Sequence, residues 1–510
     1  MLSKVLSGAV LGIDAYVVEV ETDISPGLPC YTLVGLPDNA VRESRERISS
    51  AVANIGYSFP LKRVTINLAP ADRKKEGASF DLPIAIALLA ASGQLDGDLL
   101  SDFLVLGELS LDGRLKPIQG ALPIAASCRK LDIRGILLPG ENATEAAVVS
   151  GIDVIGVDSL AEAAEFLSGR KDIPATTVDS LKLFDIKSRY PVDFCDVKGQ
   201  EHTKRALEVA AAGGHNFLMI GPPGSGKTML ARRLVTILPK MTLDESIETT
   251  RIHSVAGLTS EKQSIVATRP FRSPHHTISD AGLIGGGRIP KPGEVSLAHN
   301  GVLFLDEMPE FHKNVLEVLR QPVEDGEVSI SRALASIVYP ARFMLACAMN
   351  PCPCGYLTDP NHSCICTPVQ IKRYRGNISG PLLDRIDIQV EVPAVPFELL
   401  TDKKPGESSE SIRKRVEASR DVQTERFKDQ EGIYCNAHMG RSDLREFCSL
   451  DSESENLLRH AMSHFGLSAR AHDRILKVSR TIADLVGSRE IRSEHVAESV
   501  QYRSLDRTPA

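Results

Sequence analysis

Two different spacings of apolar residues run through the first third of the chain. Residues 17–21 and 64–68 alternate apolar and polar positions, which predicts β-strands. Residues 82–91 are almost wholly apolar and predict a buried helix, and residues 135–139 predict a short strand that ends at a turn. Residues 1–170 are therefore predicted to form a mixed α/β domain.

The remaining chain divides into a linker and two further domains. Residues 171–192 are polar, contain two prolines and are predicted to be a linker. Residues 193–395 alternate helical and strand patterns, which predicts an α/β fold with a parallel sheet. Residues 396–510 are predicted to be helical after a mobile polar stretch, 403–411. The helices of this last domain are predicted at 454–465, 471–486 and 493–502.

Composition restricts the class of protein. With 510 residues, 42% of them hydrophobic and 25% charged, the chain has the composition of a multidomain globular protein. The net charge of −7 argues against a uniformly basic nucleic-acid binder but leaves room for a local basic channel. We find no apolar run of membrane-spanning length and no pattern of a signal peptide, so a cytoplasmic location without membrane contact is expected.

A glycine-rich segment carries the firmest chemical signal. It follows a short apolar strand at 216–220 and precedes a predicted helix at 229–238, which is the context of a phosphate-binding loop. Backbone N–H groups of such a loop surround phosphates, its lysine contacts the β- and γ-phosphates, and its threonine hydroxyl reaches Mg²⁺. The loop consists of Gly221, Pro222, Pro223, Gly224, Ser225, Gly226, Lys227 and Thr228.

Polar residues end two later apolar strands. Residues 302–305 are followed by Asp306 and Glu307. A carboxylate pair at a buried strand end is costly without a role. Asp306 is predicted to hold Mg²⁺ and Glu307 to polarise the attacking water. The second strand leads to Asn350, which is predicted to help orient that water.

An arginine between two aspartates follows these strands. Arg385 lies in the segment Leu-Leu-Asp-Arg-Ile-Asp that ends at residue 387. It is a candidate arginine finger for the γ-phosphate bound by a neighbouring subunit. An ordinary surface ion pair is the alternative role.

In this order, the motifs resemble the magnesium-chelatase-like branch of the AAA+ ATPases, and the whole chain resembles the ComM/YifB family. The resemblance implies an AAA+ core with a helical lid, ATP and Mg²⁺ as cofactors, and a homo-hexameric ring with ATP sites between subunits. It also implies that Arg385 acts in trans and that Arg470 is the lid arginine that touches nucleotide, with Arg474 as its rival. The supporting stretches are Val34–Asp38, Arg272–His276, Asn350–Gly355 and Leu476–Leu485.

The first domain resembles the proteolytic domain of Lon-type proteases at residues 76–81 and 107–118. In that family a serine is paired with a lysine. Ser79 falls at the serine position, but Leu122 stands where the lysine should be, and Lys116 is a weak substitute. Serine needs an adjacent base to become nucleophilic. The domain is therefore predicted to be Lon-like in fold but non-catalytic, with a role in ring assembly or DNA guidance.

Four cysteines lie close together after Asn350. Cys352, Cys354, Cys364 and Cys366 form two Cys-x-Cys pairs, which can provide the four thiolates of a structural zinc site. The spacing departs from the commoner Cys-x₂-Cys, so free thiols stay an alternative, and His362 is an alternative ligand.

Two insertions are candidate substrate contacts. Residues 271–297 include Arg288 and Lys291, and residues 327–342 have hairpin-like alternation with Arg332. Basic residues there are suited to follow a phosphate backbone without reading bases. The resemblance implies a DNA motor that drives branch migration during recombination and natural transformation. The competing hypothesis is a chelatase-type protein-remodelling ATPase, and an ATP-dependent protease is weakened by Leu122.

Overall fold

The computed structural model describes residues 2–97, 99–179, 184, 190–259, 265–287, 290–332, 335–359, 362–396, 399, 406–430 and 432–503. Contacts divide the chain into two compact units. The first comprises Met1–Lys187 with Thr242–Ala267, and the second comprises Ser188–Met241 with Thr268–Ala510.

The first unit is a mixed α/β fold, as predicted. Its seven-stranded sheet has the order β3-β4-β2-β1-β5-β8-β9, with β2 antiparallel to β1 and β4, and the other neighbours parallel. The strands are β1 (Leu2–Leu11), β2 (Asp14–Ser25), β3 (Cys30–Val34), β4 (Arg63–Ala69), β5 (Phe103–Val105), β6 (Glu108–Leu109), β7 (Leu115–Lys116), β8 (Gly135–Pro139) and β9 (Asp153–Val157). Strands β6 and β7 form a separate ribbon.

Helices cover this sheet. Asp81–Ala91 is buried at every position and packs on β1 and β2, which explains its uninterrupted apolar sequence. The helices are Asn39–Arg42, Ser44–Asn54, Asp81–Ala91, Ala121–Lys130, Gly140–Ala146, Leu160–Leu167 and Leu243–Val255, with a 3₁₀ turn at Ala78–Phe80.

The helix Leu243–Val255 belongs to the first unit although its sequence lies within the predicted 193–395 domain. Thr242 and Glu245 form a capping box at its start. Near its end, the Ser254 and Thr259 hydroxyls donate hydrogen bonds to the buried carboxylate of Glu145. Burial raises the pKa of Glu145. A polar contact across more than 100 residues of sequence thus joins this segment to the first unit.

The second unit contains the predicted parallel sheet. Its order is β11-β14-β17-β10-β18, and every neighbouring pair is parallel. The strands of this unit are β10 (Phe217–Ile220), β11 (Phe271–Arg272), β12 (Gly285–Gly286), β13 (Lys291–Pro292), β14 (Val302–Leu305), β15 (Glu327–Arg332), β16 (Ala335–Pro340), β17 (Met344–Met349) and β18 (Ile388–Glu391). Because parallel strands share direction, the carboxyl ends of β10, β14 and β17 lie on one edge.

The two insertions form antiparallel ribbons, β12–β13 and β15–β16, and the second confirms the predicted hairpin. They pack together: the Tyr339 hydroxyl donates to Pro290 O at 2.8 Å. A Cβ atom on Gly285, which has φ +107°, would lie 2.8 Å from Ile330 Cδ1.

Helices complete the second unit, and its carboxyl-terminal part is helical as predicted. They are Glu201–Gly213, Lys227–Ile237, Asp280–Ile284, Glu294–Leu297, Lys313–Val318, Arg320–Asp325, Pro368–Arg375, Gly380–Leu383, Ser409–Arg426, Arg441–Phe447, Ser452–Phe465, Ala469–Leu485 and Ser493–Gln501, with 3₁₀ turns at Phe194–Asp196, Met308–Glu310 and Asn436–His438. Residues 409–411, expected to be mobile, instead form the first turn of a helix that Ser408 caps. Among the described residues, no helix is long and apolar enough to cross a bilayer.

Candidate active site

The glycine-rich loop joins β10 directly to the helix Lys227–Ile237. Gly226 has φ +88° and ends the loop in the left-handed region, which favours glycine. A Cβ atom on Gly221 would lie 2.2 Å from Val392 O, so only glycine fits beside β18. The loop therefore holds the close backbone geometry that phosphate binding at a helix N-terminus needs.

The Lys227 ammonium lies inside this loop. It donates to Gly221 O at 2.7 Å and to Pro222 O at 2.9 Å, and Asn350 Oδ1 lies at 3.3 Å. Burial lowers its pKa, and the charges of Asp306 and Glu307 oppose that shift. The loop lysine and the asparagine from β17 are thus brought together at one edge of the sheet.

The same edge carries oxygen ligands for a divalent cation. The Thr228 hydroxyl donates to Asp306 Oδ2 at 2.6 Å, and the Glu307 N–H donates to Asp306 Oδ1 at 3.0 Å. A hydroxyl and a carboxylate in contact, beside a loop shaped for phosphates, suit the preference of Mg²⁺ for oxygen. The residues present therefore fit ATP with Mg²⁺.

Glu307 adopts a backbone conformation that is rare outside glycine, with φ +52°. Such strain costs about 1–3 kcal/mol and is concentrated at functional sites. The Glu307 carboxylate is exposed, and His276 Nδ1 lies 3.8 Å from its Oε2. His276 therefore faces the site, whereas the His275 ring bonds locally to the Thr277 hydroxyl at 2.9 Å.

Gln200 supports the phosphate loop and was missed in the sequence. Its Nε2 donates to Ser225 O at 2.8 Å and to Pro393 O at 3.0 Å, which joins the loop to the segment after β18. A lone glutamine ahead of a helix gives no sequence signal for this contact. Its φ of +58° is a feature only the structure reveals.

The candidate finger lies at the opposite edge of the sheet. The N–H groups of Asp387 and Ile388 both donate to Asn216 O, just before β10, whereas the phosphate loop follows β10. A four-residue strand separates these ends by about 13 Å. Arg385 there donates to Pro381 O at 2.7 Å and pairs with Glu324. Arg385 and Lys227 of one chain are therefore not brought together.

Arg470 and Arg474, the two candidates for the lid arginine, lie at this same edge but have different partners. Arg470 Nη1 lies 2.7 Å from Asp384 Oδ2, and its side chain is 70% exposed. Arg474 Nη1 lies 2.6 Å from Asp387 Oδ1, and Asp387 is fully buried and also contacts His215. Burial would raise the pKa of Asp387, but Arg474 and His215 outweigh it and hold the pKa well below its usual range. Arg474 thus neutralises a buried charge, and Arg470 is the more accessible of the two.

The four cysteines are brought together. Their sulfur atoms all lie within 4.8 Å of one another. Cys352 Sγ lies 3.4 Å from Cys354 Sγ and 3.6 Å from Cys364 Sγ, and Cys366 Sγ accepts from the Cys354 N–H at 3.4 Å. His362 is not among this group, since its Nδ1 lies 3.1 Å from Asp359 Oδ2. A donor set of four thiols in this arrangement fits a tetrahedral metal.

The cysteine segment contacts the phosphate loop. Gly355 has φ +87°, and a Cβ atom there would lie 2.6 Å from Pro223 Cδ and 3.9 Å from Asn350 Cγ. Arg375 Nε donates to Pro351 O at 3.2 Å, which fixes the chain directly after Asn350.

The Lon-like residues do not assemble a serine–lysine pair. Leu122 is fully buried in the helix Ala121–Lys130. The Lys116 ammonium lies 3.7 Å from Glu108 Oε1 on the β6–β7 ribbon. Ser79 is half-buried, and its carbonyl accepts from the Gly107 N–H at 2.9 Å.

The structure describes the proposed basic insertion residues only in part. Lys291 is exposed on β13. Arg288 and the side chain of Arg332 lie outside the described residues.

Known proteins are similar to this chain over almost its whole length. It is 46% identical to YifB of Escherichia coli and 45% identical to the competence protein ComM of Haemophilus influenzae, and each alignment covers 99% of this chain and 98% of the relative. The chain belongs to the magnesium-chelatase-like family. Sequence models of the chelatase subunit ChlI also match, over residues 20–142 and 193–400, and a ChlI C-terminal model matches 406–503.

Family membership confirms the resemblance inferred from the motifs and the AAA+ assignment of the core. The family suggests ATPase activity. A further similarity is confined to part of the chain: it is 32% identical to Lon protease 2 of Bacillus subtilis over 152 residues, which cover 29% of this chain and 28% of that protease. This partial similarity agrees with the Lon-like resemblance of the first domain.

Proposed function

We propose that this protein is an ATP-driven, ring-shaped DNA motor, a branch-migration helicase that promotes recombination and the integration of DNA in natural transformation. Support comes from the similarity, along almost the entire chain, to a relative named as a competence protein. We further propose that it acts in the cytoplasm.

The proposal of a ring is supported by the separation of the two halves of the candidate ATP site within one chain. Lys227, Thr228 and Asp306 meet at one edge of the sheet, and Arg385 and Arg470 lie at the other. A site that needs both halves is completed only by a second copy. We propose a homo-hexamer, in which each copy presents its arginine edge to the phosphate edge of the next.

Bound ATP supplies a γ-phosphoryl group whose transfer to water releases the free energy for movement. Lys227 and the loop N–H groups would orient the phosphates, and Thr228 and Asp306 would hold Mg²⁺. Glu307 would take the proton of the attacking water, which Asn350 helps to orient. Arg385 and Arg470 of the adjacent copy would stabilise negative charge that develops on the phosphoryl oxygens.

The two packed insertions are the proposed DNA contacts. Their ribbons, β12–β13 and β15–β16, support each other through Tyr339 and Gly285, so a movement of one would displace the other. Lys291, together with Arg288 and Arg332, would follow a phosphate backbone independently of sequence. A chelatase-type protein-remodelling ATPase is the alternative, and it has less support, because the relatives that span the chain include a competence protein.

The deciding experiment measures branch migration and strand displacement on three-stranded and forked DNA. The parent protein should move DNA only with ATP, and Lys227→Ala and Glu307→Gln should both be inactive. ATP hydrolysis by an intact ring without any DNA movement would reject the helicase and favour the remodelling ATPase.

We also propose that the cysteine cluster holds one structural Zn²⁺ per chain. Zinc–thiolate bonds of about 2.3 Å place tetrahedral sulfurs roughly 3.8 Å apart. The sulfur separations of 3.4 and 3.6 Å are close to that value. Metal analysis should find about one zinc per chain in the parent and little in Cys354→Ser/Cys364→Ser, with Cys30→Ser as the matched control. Parent protein that is free of zinc after purification without chelators would contradict the proposal.

A further inference from the structure

An exposed surface of mixed character lies beside the phosphate edge. Val369, Lys372 and Arg373 have i, i+3 and i+4 spacing and therefore share one face of the helix Pro368–Arg375. All three are exposed, and Val369 is 77% exposed. Ile365, just before the helix, is 85% exposed. We call these four residues the apolar–basic surface.

This surface is fixed to the phosphate edge by short contacts. Arg375, at the end of the helix, donates to Pro351 O at 3.1 and 3.2 Å, one residue after Asn350. At the other end, the cysteine segment meets the phosphate loop where Gly355 packs against Pro223. The position of the apolar–basic surface is therefore fixed relative to the phosphate loop that contains Lys227.

A groove lined by four carboxylates and two arginines, which we call the acidic groove, contains the candidate finger. It has a volume of about 700 Å³ and lies among the helices Asp280–Ile284, Lys313–Val318 and Arg320–Asp325. Its apolar lining includes Ile284, Val318 and Pro322, and Asp280 and Asp325 add exposed carboxylates. Arg385 lines the same groove.

We propose that the apolar–basic surface of one copy docks into the acidic groove of the next. This inference rests on the proposed ring: when Arg385 reaches the phosphate edge of a neighbour, its groove arrives beside that neighbour's helix Pro368–Arg375. Apolar Ile365 and Val369 match the apolar lining, and Lys372 and Arg373 match its carboxylates. The occupant is a second copy of this chain, and the contact aligns the finger.

Charge reversal tests the docking. Lys372→Glu/Arg373→Glu and Asp280→Lys/Asp325→Lys should each raise the protein concentration for half-maximal ring assembly, measured by mass photometry with ATP in a Glu307→Gln background, by about tenfold. The chain that carries all four reversals should recover assembly, because opposite charges face each other again. Lys428→Glu/Arg459→Glu is the matched control and should assemble normally, because Lys428 is exposed in the turn after the helix Ser409–Arg426 and Arg459 is exposed on the helix Ser452–Phe465.

Cross-linking locates the contact without relying on stability. A photoreactive phenylalanine analogue at position 365 should cross-link to residues 280–325 of an isotopically labelled second copy, and mass spectrometry identifies the pair. A ring that hydrolyses ATP but shows neither this cross-link nor four-reversal recovery would overturn the docking and leave the proposed motor intact. Failure of the parent to form any ring would overturn both.

Discussion

Arg470 and Arg474 lie one helical turn apart, and their partners assign them different tasks. Arg474 neutralises an aspartate that is otherwise buried, whereas Arg470 contacts a half-exposed aspartate next to the candidate finger. The family resemblance implied that Arg470 is the lid arginine, with Arg474 as its rival, and the i, i+4 spacing places both on the same helical face. Only the burial of their acidic partners separates a structural role from a candidate catalytic one.

We expect Arg474→Ala to lower the free energy of unfolding by about 3 kcal/mol, since it removes the charged partner of the buried Asp387 carboxylate and leaves only His215 in contact with it. Arg470→Ala should unfold like the parent but hydrolyse ATP at least tenfold more slowly. The reason is that the negative charge that develops on the phosphoryl oxygens during hydrolysis loses a hydrogen-bond donor that stabilises it. Urea unfolding and steady-state ATPase assays check the pair. Equal stability of the two variants would contradict this assignment.

At the scale of elements, the cysteine segment and the phosphate loop form one packed unit at Gly355. Gly355→Ala should weaken ATP binding by about tenfold, because the new methyl group must displace Pro223. Isothermal titration calorimetry with an ATP analogue measures this change.

Gly466→Ala is the matched control for that variant. Gly466 also has positive φ, at +63°, but its Cβ position meets nothing within 4 Å. It should lose about 1 kcal/mol of stability from backbone strain and bind ATP normally. Equal ATP affinity of the two variants would show that the Gly355 contact does not shape the nucleotide site.

Elements with a strong local pattern could be predicted from the sequence, and those that depend on distant contacts could not. The strand–loop–helix around Lys227 and the apolar helix Asp81–Ala91 follow from local sequence alone. The helix Ser409–Arg426 was missed because only two of its five buried side chains, Ile412 and Val416, are apolar. The sequence therefore lacks the apolar periodicity that predicts a helix. The assignment of Leu243–Val255 to the first unit depends on contacts with residues about 100 positions earlier, among them Glu145.

The candidate site shows the same limit. Lys227, Thr228, Asp306 and Asn350 were predicted by their motifs, and the structure brings them together. Gln200 was missed because its contacts are made with backbone carbonyls that no motif marks. The roles of these residues in catalysis stay predictions.

For the whole molecule, the division of the ATP site between copies predicts complementation. Arg385→Ala should bind ATP but not hydrolyse it, and Lys227→Ala should not bind it. A mixture of the two should regain ATPase activity, because Lys227→Ala copies still offer Arg385 to intact phosphate loops next to them. Titration of one variant into the other measures the recovery.

The controls for the mixture are each variant alone at the same total concentration and a chain that carries both substitutions. The double variant has neither half-site and should not restore either single variant. If the mixture is as inactive as its components while rings still form, Arg385 does not act on the neighbour's nucleotide.

The placement of Leu243–Val255 also constrains how this protein can change through gene exchange. The chain passes between its two units at residues 187, 241 and 267, so each unit is encoded by two separate stretches of sequence. A single crossover between related genes near residue 187 would join foreign residues 1–187 to a native helix Leu243–Val255, which must then fit beside the foreign Glu145. Intact hybrids therefore require the exchange of both stretches, or a Glu145 environment that both parents share.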